Sequence, residues 1–161
     1  MAMQVEPTEH ASTEHTNTAH ENKQMISRFM ERAFNQGDLT AVDEHLAVEA
    51  VDHQERAGTN FCTHLKQVIM GLRRAFPDLH FELHEVLAEG EIVAFRSTMT
   101  GTHLGPLQMG DGPQLLPTGR RVNVAHMHFV RVIDGKGHDL WHLWDMPAML
   151  RQLNVEPSSS A

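Results

Sequence analysis

Apolar side chains recur at helical spacing through the first half of the chain and at every second position through the second. Ile26, Phe29, Met30, Ala33 and Phe34 mark one helix face, and Thr18 with Glu21 offers a capping box at its head. Asn35-Gln36-Gly37-Asp38 stops that helix, and Asp38 can cap a short second one carrying Leu39, Val42 and Leu46. An extended segment over 48–53 follows. Asn60 or Thr63 can then open a third helix with Leu65, Ile69, Leu72 and Phe76 inward, ended by Pro77. From there the period is two. Residues 79–88 and 91–102 predict a hairpin turning at Glu89-Gly90. Residues 105–119, rich in glycine and proline, predict a loop over the sheet or its rim. Residues 121–133 form the longest alternating run, Asp134-Gly135-Lys136 turns the chain, and 138–145 returns. Pro147 suits the first turn of a closing helix with Met149, Leu150 and Leu153. Helices first and an antiparallel sheet second predict an α+β fold.

The two ends lie outside this pattern. Residues 1–20 are polar and carry the near-repeats Thr8-Glu9-His10, Thr13-Glu14-His15 and Thr18-Ala19-His20, so they read as a disordered histidine-containing tail. Residues 155–161 read as a second tail, which leaves 21–154 as one domain. A net charge of −8 speaks against a nucleic-acid partner, since phosphate contacts need a basic face. No apolar run approaches the ~20 residues of a membrane span, and no hydrophobic signal core stands at the start. Cys62, the single cysteine, excludes an internal disulfide and fits a reducing cytoplasm. The unusual feature is thirteen histidines with no tyrosine.

Two of those histidines are brought together by the last hairpin. One face of its first strand carries Val122, Val124, His126, His128, Val130 and Val132, and one face of the return strand carries His138, Leu140, His142 and Trp144. A three-residue loop pairs Ile133 with Gly137 and sets His128 opposite His142, whereas a two-residue loop sets Trp141 there. The first register is preferred, because two valine-flanked histidines otherwise face a core alone. Imidazoles on an apolar face are costly unless they hydrogen-bond, share a proton or bind something. Three readings stay open: a solvated sheet face, a pocket floor whose neutral histidines act as acid and base, and a metal site. His53 leaves the helical half where a pocket mouth could lie. His103, between Gly101 and Gly105, suits a turn-stabilising hydrogen bond, and His45 and His64 suit solvated helix faces.

The order of motifs resembles the SnoaL-like polyketide cyclase (ester cyclase) family. The resemblance rests on Phe34-Asn35-Gln36-Gly37-Asp38-Leu39, Val51-Asp52-His53, Ala75-Phe76-Pro77-Asp78-Leu79, Gly101-Thr102-His103-Leu104-Gly105 and Pro117-Thr118-Gly119-Arg120. It continues through Arg131, Asp134-Gly135-Lys136, Trp141, Trp144-Asp145 and Leu150-Arg151-Gln152-Leu153, and covers about 22–154. It implies an NTF2-like cone: helices on a curved antiparallel sheet around one apolar pocket. It also implies cofactor-independent acid/base catalysis, in the founding members an intramolecular aldol condensation on polyketides. Their catalytic aspartate, histidine and asparagine positions correspond to His142, His128 and His53, of which only His128 matches by residue type. Asp139 and Asp145 occupy other recurrent family positions.

The leading expectation is therefore a cyclase- or isomerase-type enzyme acting on a small apolar, carbonyl-bearing molecule. His142 moves the proton, His128 polarises the carbonyl or holds the tautomer of His142, and His53 orients the substrate. Trp144, His103, His126, Met127 and Met146 are expected to line the binding site. One alternative is a divalent metal such as zinc held by His53, His128 and His142. Another is a non-catalytic small-molecule carrier. The resemblance also implies a homodimer, and loop 105–119 is a candidate lid.

Overall fold

The computed structural model describes residues 9–108 and 113–155, with side chains from Thr18 onward. Residues 1–8 and 156–161, the outer parts of the two expected tails, lie outside the described residues, as do 109–112 of the glycine- and proline-rich stretch. Helix α1, Glu9–Phe29, runs directly into a π-helical turn, Met30–Asn35. It begins ahead of Thr18, and no glycine or proline interrupts 9–29. The boundary expected at residue 20 thus falls inside α1.

The end of this helix is fixed by side chains. Arg73 Nη1 donates to the carbonyls of Phe34 and Asn35 at 2.8 and 2.7 Å, two of the acceptors that a helix terminus leaves unpaired. Gly37 turns the chain with φ +75°, and a Cβ there would lie 2.6 Å from Arg73 Nε, so both backbone and space require glycine. Helix α2 (Thr40–His45) leads into strand β1 (Leu46–Asp52). Helix α3 (Phe61–Ala75) is capped by Asn60, whose side chain accepts from the Thr63 N–H at 2.9 Å.

Strands β2 (His80–Glu89), β3 (Ile92–Thr102), β4 (Arg121–Ile133) and β5 (Lys136–Trp144) form successive antiparallel pairs, as the alternation predicted. The sheet is nonetheless mixed. Its order is β1-β5-β4-β3-β2, and β1 lies parallel to β5, with Asp52 beside Leu140. Periodicity reports which face a residue takes but not the direction of its neighbour, so the all-antiparallel expectation needed this correction. Helix α4 (Met146–Leu153) starts on Asp145, which accepts from the Ala148 N–H, and stops at Asn154 in the left-handed conformation.

The β4–β5 turn also differs from expectation, although its consequence does not. Asp134 and Gly135, with φ +49° and +73°, make a two-residue turn that pairs Ile133 with Lys136. Between Val132↔Gly137 and Arg131↔Asp139 the strand β5 carries one extra residue, His138. That bulge shifts the register by one, so His128 still faces His142.

Inward residues of the sheet, among them Val93, Phe95, Met99, Val122, Val124 and Val132, join Ile26, Met30, Ile69, Phe76 and Met149 from the helices in one core. His103 belongs to the frame rather than to a binding site. It is fully buried, its Nδ1 accepts from the Thr118 N–H at 3.2 Å, and its backbone bonds Gly119 and Arg120. It therefore staples the far end of the 105–119 stretch to the end of β3.

Candidate active site

A cavity of about 830 Å³ lies between the inner face of the sheet and helices α1, α3 and α4. Its walls are mostly apolar, with Phe29, Phe34, Leu65, Phe95 and Met149 among them. A polar stripe crosses this surface: His126 and His128 from β4, His142 from β5, and Asp52 and Gln54 from the end of β1. Strand alternation puts the histidines there, because each is two residues from an inward neighbour on a core-facing strand.

The three imidazoles stand in a row. His126 and His128 are nearly parallel with centroids 5.8 Å apart, and His128 and His142 follow at 5.7 Å. Phe95 lies flat against His128 at 4.5 Å, and Trp144 closes the row beside His126. Burial pushes the His126 pKa down to about 4 and the His128 pKa down to about 3, with neighbouring imidazoles adding to the effect. Both rings are neutral at neutral pH. His126 Nε2 and His128 Nδ1 are sealed from solvent without a hydrogen-bond partner. A buried bare lone pair is tolerated better than a buried orphan N–H, so each ring carries its proton on the other nitrogen. These two rings are therefore hydrogen-bond donors rather than bases.

His142 differs because it has a carboxylate. Its Nε2 lies 3.0 Å from Asp52 Oδ2, and its backbone N–H donates to Gln54 Oε1 at 2.8 Å. Asp52 is buried, which raises its pKa, but the hydrogen bonds from His142 and from the Gln54 N–H outweigh this and hold it below the ordinary value. A carboxylate can only accept, so His142 donates to Asp52 through Nε2, and Nδ1 is the ring nitrogen not engaged by the carboxylate. Deeper along the same loop Glu55 hydrogen-bonds His64 Nδ1, and both residues also line the cavity.

The residues expected in the site divide into two groups. His142, His128, His126, Trp144 and Met146 all line the cavity. His53 does not. Adjacent residues of a strand point to opposite faces, and it is Asp52 that turns inward. His53 stacks on Trp141 at 4.5 Å outside the cavity and bonds Asp139 Oδ1 at 2.8 Å. Met127 likewise lies on the outer face, and His103 lies in the frame described above. The three-histidine metal site is therefore not assembled. Among the described residues no group of three or more His, Cys, Asp or Glu side chains is placed to hold a metal ion.

Comparison with known proteins agrees with this geometry. TsrD from Streptomyces laurentii shares the fold, with 24% identity and a TM-score of 0.75 over 85% of this chain and 97% of its own. IdmH from Streptomyces antibioticus, described as a candidate polyketide cyclase, is 29% identical with a TM-score of 0.69 over 84% of this chain and 100% of its own. AclR from Streptomyces galilaeus, described as a candidate hydroxylase, is 26% identical with a TM-score of 0.69 over 87% of this chain and 89% of its own. No curated protein matches. The family profile of SnoaL-like polyketide cyclases matches residues 24–153, from within α1 to the last residue of α4. That match spans most of the chain and TsrD shares its fold, so the chain belongs to the SnoaL-like polyketide cyclase family.

Proposed function

We propose that the protein is a cyclase-type enzyme that moves protons, without a cofactor, on an apolar carbonyl-bearing polyketide-like molecule in the cavity. The observation that carries this reading is the Asp52–His142 pair, a carboxylate-oriented imidazole in a mostly apolar cavity beside two neutral imidazole donors. His142 Nδ1 takes the proton from the carbon next to the carbonyl. His128, and His126 beside it, donate hydrogen bonds to the oxygen where enolate charge develops. Trp144 and Phe95, on the cavity lining beside the imidazoles, give the substrate apolar aromatic wall.

A cyclic triketone with a methyl-ketone arm, which closes by intramolecular aldol addition, tests this reading in deuterium oxide. The protein is expected to accelerate both deuteration next to the side-chain carbonyl and ring closure. Binding without either reaction would instead support carriage. Asp52→Asn is expected to lower the deuteration rate by about 10²–10⁴-fold, since the amide no longer fixes the His142 tautomer. His53→Ala, on the far side of β1, is expected to stay within about twofold.

We also propose that the outer sheet face pairs two copies of the chain. Leu143 (74% exposed), Met127 (58%) and Phe129 (54%) form neighbouring cross-strand positions with Trp141. Ion pairs of both signs, Arg96–Glu85 and Arg131–Asp139, border this patch, so it suits a copy of itself related by a twofold axis. Sedimentation of the wild-type protein is expected to give a dimer and of Phe129→Glu a monomer. A monomeric wild type would remove the pairing.

A further inference from the structure

Glu55 and His64 make a second carboxylate–imidazole pair on the wall of the same cavity, and the proton abstraction assigned to His142 does not use it. The two pairs grow from one turn. Asp52 ends β1 and reaches across to β5. The Glu55 N–H donates to the Asp52 carbonyl at 3.1 Å, which turns the Glu55 side chain towards α3 and His64. Glu55 is mostly covered, with a side chain 15% exposed, and its Oε2 is sealed from solvent with no hydrogen-bond partner. A carboxylate oxygen left in that state is costly unless a cation balances the group. His64, whose Nδ1 meets Glu55 Oε1, has a side chain 45% exposed, so it can exchange protons with water.

Ring closure requires two proton transfers at separate atoms. The carbon that attacks loses a proton, and the oxygen of the carbonyl under attack gains one. These atoms belong to different parts of the substrate. His126 and His128 are neutral donors with little acidity, and His142 is occupied by the proton it has taken. We propose that Glu55–His64 is the acid arm of the same reaction: His64, oriented by Glu55, gives a proton to the alkoxide formed as the new carbon–carbon bond closes. The proton from carbon resides on His142 against the Asp52 carboxylate, the proton given by His64 ends on the product hydroxyl, and exchange of one proton with solvent resets both pairs. No electrons are transferred, and the step needs no co-reactant. Glu55 is a positioning residue and His64 the catalytic one.

This assignment rests on the cyclase reading, and the triketone separates the two, because deuteration reports the base and ring closure reports base and acid together. In His64→Gln, and separately in Glu55→Gln, closure is expected to fall at least about 10-fold while deuteration stays within about threefold. Circular dichroism establishes that each variant is folded. Unchanged closure in both variants would show a solvated ion pair and overturn the acid arm while leaving His142 as base. Equal loss of closure and deuteration in folded variants would also overturn it, as would a wild-type protein that deuterates but never closes the ring. A wild-type protein that does neither would overturn the cyclase reading and the acid arm with it.

Discussion

Replacing His142 is expected to remove both deuteration and ring closure, by about 10²–10⁴-fold for the loss of a general base. Two variants separate chemistry from folding. His142→Ala takes away the base but also takes the imidazole donor from the buried Asp52 carboxylate, which keeps its hydrogen bond from the Gln54 N–H, so part of its effect is destabilisation. His142→Gln places an amide N–H within reach of Asp52 and offers no basic nitrogen. Its unfolding midpoint is expected to lie near that of the wild type and its activity near that of the alanine variant. Activity retained in the glutamine variant would place the base elsewhere in the cavity.

The second large effect concerns stability against pH. His126 and His128 titrate at about 4 and about 3 in the folded protein, against an ordinary value near 6.5 in the unfolded chain. A depressed folded pKa means that the unfolded state binds protons first. The stability these groups contribute is complete above about pH 6.5 and is lost as pH falls towards the folded values. Between about pH 7 and about pH 5 the two rings together are expected to cost the folded state about 3–4 kcal/mol. Burial acts in the same direction on His45 and His103. Urea unfolding at the two pH values measures the difference, and the double variant His126→Leu/His128→Leu is expected to lose most of it. A wild-type protein equally stable at both would show that these imidazoles are hydrated rather than buried. Asp52 adds a separate loss only at lower pH, because a carboxylate held below its ordinary value stops stabilising as pH drops through the folded value.

The hairpin that carries His128 and His142 was readable because alternation over 121–133 assigns a face to each side chain and because only one register spares two imidazoles from facing apolar surface alone. The route to that register was not readable. A bulge at His138 has no periodic signature and is set by how β5 meets β1. The exchange of His53 for Asp52 has a simpler cause. In the motif Val51-Asp52-His53 the histidine draws attention, yet Ala50 and Asp52 share the inward parity, so the aspartate is the residue that reaches the cavity. Glu55 and His64 could not be found by spacing, since a loop residue and a helix residue nine positions apart meet only through the tertiary packing of α3 on β1. The direction of β1 and the start of α1 are of the same kind, decided by neighbours and by propensity rather than by hydrophobic period.

In the proposed mechanism Asp52 holds His142 with its proton on Nε2 and its lone pair on Nδ1, ready to take a proton from carbon. Nitrogen-15 NMR of the histidine side chains in the folded protein at neutral pH reads this tautomer without any substrate. The expected result is a His142 imidazole protonated at Nε2, with Asp52→Asn shifting the tautomer ratio and His53→Ala leaving it unchanged. A His142 ring protonated at Nδ1, or one indifferent to Asp52→Asn, would contradict the account.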